Sequence, residues 1–241
     1  MKKAVRLDKF LADAGAGTRS AVKKLIQKGR VQVNGAAAKK PEEKIAETDE
    51  VLLAGERIGA APEFVYYLLH KPAGYVSATE DSRDRTVLEL IPPELRRKGL
   101  FPVGRLDKDT EGLLLITDDG ALAHELLSPK KHVEKTYYAQ VEGEMTLVDA
   151  ASFEEGIDIG EKNRTLPAKL EILSSKGGKS EILLTICEGK FHQVKRMVKA
   201  VGKEVTYLKR ISMGSLILSE DLKKGECRPL TENEIKGLKN R

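Results

Sequence analysis

An arginine and an aspartate that flank one leucine form the pair of residues best suited to chemistry in this sequence. Arg105 and Asp107 follow Gly104, which favours a turn, and precede the apolar run 113–116, which is typical of a buried strand. In an extended backbone alternate side chains share a face, so the two would lie together. A nearby cation favours the ionised form of a carboxylate, and a positioned carboxylate can act as nucleophile or base. The spacing also fits a surface ion pair.

A second candidate is the basic segment 188–210. Between Lys190 and Arg210 there are seven Lys or Arg residues and one acid, Glu204. Four apolar residues at helical spacing predict a helix over residues 191–201: Val194, Met197, Val198 and Val201. The basic side chains lie off this apolar stripe, where they can contact phosphates, neutralise a buried carboxylate or simply face solvent.

A third candidate is the segment 135–138, which contains Tyr137. It follows a basic cluster made up of Lys130, Lys131 and Lys135. A tyrosine in this setting can stack on an RNA base that has left its helix. A tyrosine on a strand can equally pack on the core, so the segment by itself leaves both uses open.

Several common sites are missing from the sequence. The segment 178–180 ends like a phosphate-binding loop, but Leu173 stands where that motif needs glycine, and Ser20 replaces the third glycine of a dinucleotide fingerprint. Cys187 and Cys227 form no pair with zinc-site spacing. The histidines are scattered along the chain: His70, His124, His132 and His192. We therefore expect neither a metal nor an organic cofactor.

The composition predicts a soluble, cytoplasmic protein. Of its 241 residues 40% are hydrophobic and 33% charged, which is enough for a packed core. The longest apolar run is six residues, 64–69, whereas a membrane span needs about 20. No apolar stretch follows Lys2 and Lys3, which argues against a signal peptide.

The positive charge is concentrated at the start of the chain. Residues 1–40 contain 11 basic and 2 acidic residues, whereas residues 60–241 contain 29 of each. Because neutralising phosphates releases condensed counterions, a dense basic segment favours a nucleic-acid partner over a merely solvated face.

The first quarter of the chain reads as a small αβ unit. Apolar spacing predicts a helix around residues 7–14 and a second helix that Thr18 caps and Gly29 ends. Strands are predicted at 31–33 and 51–53, and Asn34 with Gly35 signals a hairpin. The segments 6–11, 17–20, 23–26 and 29–35 together resemble the S4 RNA-binding domain, which presents basic side chains to structured RNA.

The remainder reads as a strand-rich domain. Residues 59–62 are small and uncharged, which suggests a linker. We therefore expect an S4-like domain at 1–59 and a catalytic domain at 60–241. Strands are predicted at 64–69, 113–116, 137–141 and 181–186, and a helix at 121–127. Strands outnumber helices without a βαβ rhythm, which predicts an α+β fold with a mixed or antiparallel sheet.

Four motifs in this second part closely resemble those of the RsuA-type pseudouridine synthases, which also carry an S4 domain. They are Lys-Pro-x-Gly at 71–74, Gly-Arg-Leu-Asp-x-x-Thr-x-Gly-Leu-Leu at 104–114, Lys-x-Tyr at 135–137 and Gly-Lys-x-His-Gln-Val-Lys-Arg-Met at 189–197. The departures are mild: His70 and Asp118 stand where the family more often has Asn.

The resemblance implies a cofactor-free isomerisation of uridine to pseudouridine in RNA. It makes Asp107 the catalytic aspartate, either as nucleophile or as stabiliser of a glycal route. Tyr137 would pack on the target base and assist proton transfer, Lys195 would pair with the aspartate, and Arg105 would help to hold the RNA with its base flipped out.

We also predict a set of RNA contacts in the two domains. In the first they are Arg6, Lys9, Arg19, Lys23, Lys24, Lys28 and Arg30. In the second they are Lys71, Lys190, His192, Gln193 and Arg196.

The S4-like segments and the sequence 209–214 resemble the branch of the family that modifies one uridine of small-subunit rRNA, position 516 of 16S rRNA. We expect a monomer acting on that rRNA or on a pre-ribosomal particle, with no membrane contact. The alternatives are the same reaction on 23S rRNA, a non-catalytic rRNA-binding or ribosome-assembly factor, and a DNA-binding module.

Overall fold

The computed structural model describes residues 4–46, 48–59 and 62–240. Contacts between residues divide the chain into two compact units, 1–63 and 64–241, whereas the sequence suggested a boundary at residue 59. The predicted linker, 59–62, contains positions 60 and 61, which lie outside the described residues.

The first unit combines two short helices with two small antiparallel sheets. Its elements are β1 (Val5–Arg6), α1 (Leu7–Asp13), α2 (Arg19–Gln27), β2 (Val31–Val33), β3 (Ala36–Ala37), β4 (Lys44–Ile45), β5 (Val51–Leu53) and β6 (Glu56–Ile58). Strands β3, β2, β5 and β6 pair in that order, and β1 pairs with β4. Both predicted helices and both predicted strands are confirmed.

The ends of α2 and of the hairpin follow the predicted local chemistry. The Thr18 hydroxyl accepts a hydrogen bond from the backbone of Ala21, and Gly29 follows the helix at a φ of +66°. Asn34 and Gly35 join β2 to β3 with φ angles of +49° and +79°, as a tight hairpin turn requires. Ala21 itself is exposed, in the first turn of the helix beside the cap.

The second unit contains nine strands and four helices among its described residues. In chain order they are β7 (Tyr66–Lys71), β8 (Phe101–Pro102), β9 (Glu111–Thr117), α3 (Gly120–Leu127), β10 (Lys135–Glu142), α4 (Leu147–Glu155), β11 (Lys169–Lys176), β12 (Lys179–Ile186), α5 (Gln193–Ala200), β13 (Glu204–Met213), β14 (Leu216–Ile217), β15 (Cys227–Pro229) and α6 (Glu232–Lys239). No helix in the described part of the chain is long and apolar enough to cross a bilayer.

All nine strands join one mixed sheet. Seven of them pair in the order β11, β12, β10, β13, β9, β7, β15, while β8 pairs with β9 and β14 pairs with β13. The pairing of β9 with β13 is parallel, and the neighbouring pairs of β9 with β7 and of β10 with β13 are antiparallel. The predicted α+β class with a mixed sheet is confirmed.

The apolar run in β9 is continuous because both faces of the strand are buried. Leu113 and Leu115 belong to one hydrophobic cluster, while Leu114 and Ile116 belong to another. Successive side chains of a strand point to opposite faces, so this strand separates two cores. The backbone that leads into β9 is thereby fixed on both sides of the sheet.

Several elements of the second unit were not predicted, among them α4, α6, β11 and β13. The longest strand, β13, is hidden in the sequence because it mixes charged, aromatic and aliphatic residues and falls inside the basic segment. Helix α4 lacks a single apolar face, since Leu147 and Val148 are exposed while Phe153 is buried. Its start is instead marked by a capping box between Thr146 and Asp149.

The parallel contact between β9 and β13 depends on a glycine. Gly112 lies opposite Arg210 and has a φ of +107°. A Cβ atom at this position would lie 2.2 Å from the carbonyl oxygen of Arg210. Neither backbone can move without disturbing a ladder of the central sheet, so only glycine fits.

We therefore expect Gly112→Ala to destabilise the protein by at least about 3 kcal/mol, because the clash adds to an unfavourable φ. Gly120 provides the control, since a Cβ atom at this position, at the start of α3, would have nothing within 4 Å. Gly120→Ala should change the free energy of unfolding by less than about 1 kcal/mol. Urea unfolding followed by circular dichroism measures both, and equal midpoints for the two variants would contradict the close approach.

Candidate active site

Asp107 lies on a short loop between β8 and β9. From Arg105 to Asp107 the side chains alternate between exposed and buried, as they do in an extended segment. Leu106 is buried, Arg105 is exposed, and Asp107 keeps 26% of its side chain exposed. The polar pair lines one narrow cleft. The predicted placement of these two side chains on one face is confirmed.

A buried lysine holds this loop in place. Lys71, the last residue of β7, is fully buried. Its Nζ donates hydrogen bonds to the carbonyl oxygens of Thr110 at 2.7 Å, Asp107 at 3.0 Å and Pro72 at 3.1 Å, and lies 3.4 Å from that of Lys108. One ammonium thus binds three carbonyl groups of the loop, at Asp107, Lys108 and Thr110.

Burial and nearby carboxylates act in opposite directions on this ammonium. Burial lowers the pKa of Lys71 to about 8, against an ordinary value of 10.5, while Asp109, Asp107 and Glu111 raise it. Lys71 is therefore still mainly charged at neutral pH, when its hydrogen bonds to the loop are strongest.

Two further groups fix the same loop. The Ser77 hydroxyl accepts from the Leu106 backbone N–H at 3.0 Å and donates to the Leu106 carbonyl at 2.9 Å. The Gly74 N–H donates to the carbonyl of Lys108 at 2.7 Å. Sequence analysis missed Ser77, since a lone serine in a loop carries no signal, whereas Gly74 was part of a recognised motif.

The start of α5 supplies the cationic side of the cleft. His192 Nε2 lies 3.5 Å from Asp107 Oδ1, and Lys195 Nζ lies 3.6 Å from Asp107 Oδ2. Lys195 is closer to Asp109, at 2.6 Å, and this hydrogen bond holds the pKa of Asp109 below its usual range. Within the described residues Arg105 forms no ion pair with Asp107, so Lys195 and His192 are the basic groups beside that carboxylate.

Tyr137 completes the cleft from the sheet. It lies on β10, opposite Leu184 of β12 and Arg210 of β13, and is 8% exposed. The residues that line the cleft include most of the site residues that the motifs of the second unit predicted. They are Arg105, Leu106, Asp107, Thr110, Tyr137, Ile186, Gly189, Lys190, His192, Gln193, Val194, Lys195 and Leu208.

Three buried polar side-chain atoms have no hydrogen-bond partner in the described part of the chain. They are Nε2 of His70 on β7, the hydroxyl of Thr110, which lines the cleft, and Nη2 of Arg210, whose Nε donates to the carbonyl of Leu113 at 2.8 Å. Unsatisfied buried polar groups are rare and costly in folded proteins. Neither Thr110 nor Arg210 was predicted as a functional residue, although Thr110 belongs to the motif at 104–114.

The structure corrects part of the predicted RNA-contact set. Lys71 and Gln193 are buried, and Gln193 Nε2 donates to Glu188 at 2.9 Å, so neither side chain is presented to RNA. Lys190 donates to the carbonyls of residues 163 and 164, and Arg196 Nη1 lies 2.6 Å from Glu161. These groups hold the cleft together rather than forming an open basic surface.

The first unit presents its basic residues differently. Arg6 and Arg19 lie 3.0 and 3.4 Å from the buried carboxylate of Asp8, whose pKa is lowered to about 2, mainly by the Arg6 hydrogen bond. The other predicted contacts are exposed, and no ion pair joins them to the residues described in this unit. They are Lys9, Lys23, Lys24, Lys28 and Arg30.

A larger cavity of about 620 Å³ lies between α4 and the strands β11 and β12. It is lined by the Cys187 thiol and by Glu134, Glu154 and Lys169, which form no ion pair within the described residues, so the smaller cleft is the better candidate for catalysis. No group of three or more His, Cys, Asp or Glu side chains in the described ranges is arranged to hold a metal ion.

Comparison with known protein families matches both units. Residues 65–200 match the model for RNA pseudouridylate synthase, and residues 5–51 match the S4 domain. Both matches agree with the resemblances seen in the motifs.

Individual relatives are similar over almost the whole chain. An uncharacterized RNA pseudouridine synthase of Bacillus subtilis, YtzG, is 50% identical over 96% of this chain and 97% of its own length. Ribosomal small subunit pseudouridine synthase A of Haemophilus influenzae is 41% identical over 97% of this chain and 99% of its own length. A crystal structure of a pseudouridylate synthase, 40% identical, superimposes with a TM-score of 0.68 over 97% of this chain and 99% of that chain.

The anchoring role of Lys71 predicts a pH dependence of stability. The folded state has a Lys71 pKa of about 8 and the unfolded chain an ordinary value of 10.5, so the unfolded state binds more protons between these values. The stability of the wild type relative to Lys71→Met should therefore be constant well below pH 8 and rise by about 3 kcal/mol toward pH 10.5.

Urea unfolding at a series of pH values measures this difference. The exposed Lys98 supplies the control, because Lys98→Met should run parallel to the wild type throughout. Parallel curves for Lys71→Met as well would show that the buried ammonium titrates normally and would overturn the prediction.

Proposed function

The chain belongs to the RNA pseudouridylate synthase family and carries an S4 domain, and from this premise we propose that it converts one uridine of small-subunit ribosomal RNA to pseudouridine. The observation that carries the chemistry is a carboxylate on a braced loop, Asp107, flanked by Lys195 and His192 in a cleft that also contains Tyr137. The choice of RNA rests on relatives named ribosomal small subunit pseudouridine synthase A. We propose uridine 516 of 16S rRNA as the target.

The reaction is an isomerisation with balanced atoms. The bond between N1 of uracil and C1′ of ribose breaks, the base turns, and C5 forms a new bond to C1′. C5 then loses its proton and N1 gains one. No electrons enter or leave, so we propose that the protein works without a metal or an organic cofactor.

We assign Asp107 the central role in this sequence of bonds. Its carboxylate either attacks C1′, to be displaced when C5 bonds there, or stabilises the positive charge that develops as the base departs and takes the C2′ proton to form a glycal. In the second route that proton returns to C2′ when C5 bonds to C1′. Both routes need an anion at a fixed place. The loop bonds from Lys71 and Ser77 support this role, because they leave the Asp107 backbone little freedom.

The remaining cleft residues take supporting roles. Tyr137 packs on the target base and assists the proton transfer, Lys195 pairs with Asp107, and Arg105, exposed at the rim, holds the RNA with its base flipped out. Flipping a base costs a few kcal/mol of stacking, so contacts at the rim must compensate.

We assign general RNA affinity to the first unit. Its exposed lysines that lack an ion pair among the described residues can neutralise phosphates directly. The protein would then act as a cytoplasmic monomer on small-subunit rRNA or on an assembly intermediate.

Release of tritium from RNA labelled at C5 of uridine tests the reaction, because the label leaves only when C5 becomes the glycosidic carbon. With small-subunit rRNA we expect stoichiometric release by the wild type and at least a 1,000-fold slower rate with Asp107→Asn, as loss of a central charged group implies. Asp109→Asn is the matched control. It removes a carboxylate from the same lysine, yet it should stay within about tenfold of the wild type, since Asp109 does not line the cleft.

Substantial activity of Asp107→Asn would remove the assigned role. Release from large-subunit rRNA alone would redirect the substrate to 23S rRNA. Absence of release from free rRNA, from partly assembled subunits and from large-subunit rRNA would favour a non-catalytic rRNA-binding factor.

The salt dependence of RNA binding tests the role of the first unit. Lys23→Ala combined with Lys24→Ala removes two exposed charges from α2. The slope of log K against log salt should fall by about 1 to 2, because fewer counterions are released. The control pair, Lys176→Ala with Lys179→Ala in the β11–β12 hairpin, removes the same charge and should leave the slope unchanged. Equal slopes for both double variants would contradict an anchoring role for α2.

A further inference from the structure

A large aromatic ring lies in solvent beside the cleft. The side chain of Phe191 is 73% exposed, although the other phenylalanines of the chain are buried or half-buried. Such exposure is unfavourable for an apolar ring, and it is not explained by any role assigned so far.

The ring is nevertheless held in a fixed position. It stacks on the imidazole of His192, with centroids 3.8 Å apart and an angle of 21° between the planes. His192 has a left-handed φ of +48°, which turns the chain at the start of α5. The Phe191 carbonyl accepts a hydrogen bond from Arg196 Nη1 at 3.0 Å, and Arg196 is itself paired with Glu161.

The stacked pair connects the surface to the reacting group. His192 contacts the Phe191 ring on one side and, through Nε2, lies 3.5 Å from Asp107 Oδ1. A nucleotide whose ribose reaches Asp107 therefore brings its neighbours in the strand close to the exposed face of Phe191.

The charge around the cleft indicates what covers the ring. Four cations lie in or beside the cleft, Arg105, Lys190, Lys195 and Arg196, against three acids, Asp107, Asp109 and Glu161. Arg105 forms no ion pair within the described residues. This excess of positive charge attracts a phosphate backbone and disfavours an apolar protein surface without charge. Flipping a uridine out also leaves its neighbouring bases without a stacking partner, and an aromatic ring can replace the lost contact.

We propose that Phe191 is a stacking subsite for an RNA base adjacent to the target uridine, with His192 as its support. This inference rests on the proposed function, because the site it completes is that of a flipped uridine. Phe191 would thus favour unpaired, unstacked RNA next to the target without reading its sequence.

Fluorescence gives a direct test, because the chain contains no tryptophan. Phe191→Trp introduces a single reporter at the proposed subsite. Addition of an unmodified small-subunit rRNA transcript should remove most of its emission, since stacking on a base quenches indole. The control is Leu147→Trp at the start of α4, where the native side chain is 83% exposed, and its emission should stay nearly constant.

Kinetics test the same contact in a second way. Phe191→Leu keeps an apolar side chain but removes the stacking face, so KM for RNA should rise about tenfold while the thermal stability stays unchanged. Phe191→Tyr retains the face and should restore the wild-type KM.

The outcomes separate this inference from the function on which it rests. Tritium release without quenching at position 191, or with an unchanged KM for Phe191→Leu, would overturn the stacking subsite and leave the enzyme assignment intact. Quenching at position 191 with no tritium release by the wild type would support base stacking and reject the proposed reaction. Self-association of the wild type that Phe191→Leu abolishes, with no quenching by RNA, would reassign the ring to a contact between copies of the chain.

Discussion

The ammonium of Lys71 connects the rigid sheet to the loop that presents Asp107. Loop carbonyls ordinarily turn to water, but here those of Asp107 and Thr110 lie within 3.0 Å of one buried donor. Because β7 is buried on both faces, its last residue has a defined position, and the loop inherits that position. In the reaction we propose, this carboxylate has to meet one carbon atom of a flipped nucleotide, and a charge that is already fixed needs no reorganisation during such a reaction.

The order of strands explains how distant segments form one cleft. Asp107 precedes β9, Tyr137 lies on β10, and Lys195 lies on α5, immediately before β13. Since β13 lies between β9 and β10, residues almost ninety positions apart in the chain become neighbours. The glycine at position 112 permits the parallel pairing of β9 with β13, so a residue with no side chain determines whether the cleft can form.

Local patterns predicted the elements that have an apolar face or a clear cap or turn signal, such as α1, α2 and the hairpin at Asn34. They failed for β13, in which charged, aromatic and aliphatic residues follow one another without a regular apolar alternation. They also do not reveal buried charge: the motif at 71–74 places Lys71 among the predicted RNA contacts, whereas the tertiary fold surrounds its Nζ with backbone carbonyls. Ser77 carries no signal in the sequence either, because its role depends on a tertiary contact with the backbone of Leu106. The motifs, by contrast, pointed to Asp107, Tyr137 and Lys195 without any knowledge of the sheet.

The two units use positive charge in different ways. In the second unit most cations beside the cleft are paired with acids, Lys195 with Asp109 and Arg196 with Glu161, whereas Arg105 has no ion pair within the described residues. In the first unit several exposed lysines have no such partner among the described residues. Cations without a partner release counterions when they bind and give affinity for any phosphate backbone, whereas paired cations stabilise the structure of the cleft. Selection of the target uridine that we propose would then depend on the shape of the cleft and on uncharged contacts at its rim, which is where the exposed ring of Phe191 lies.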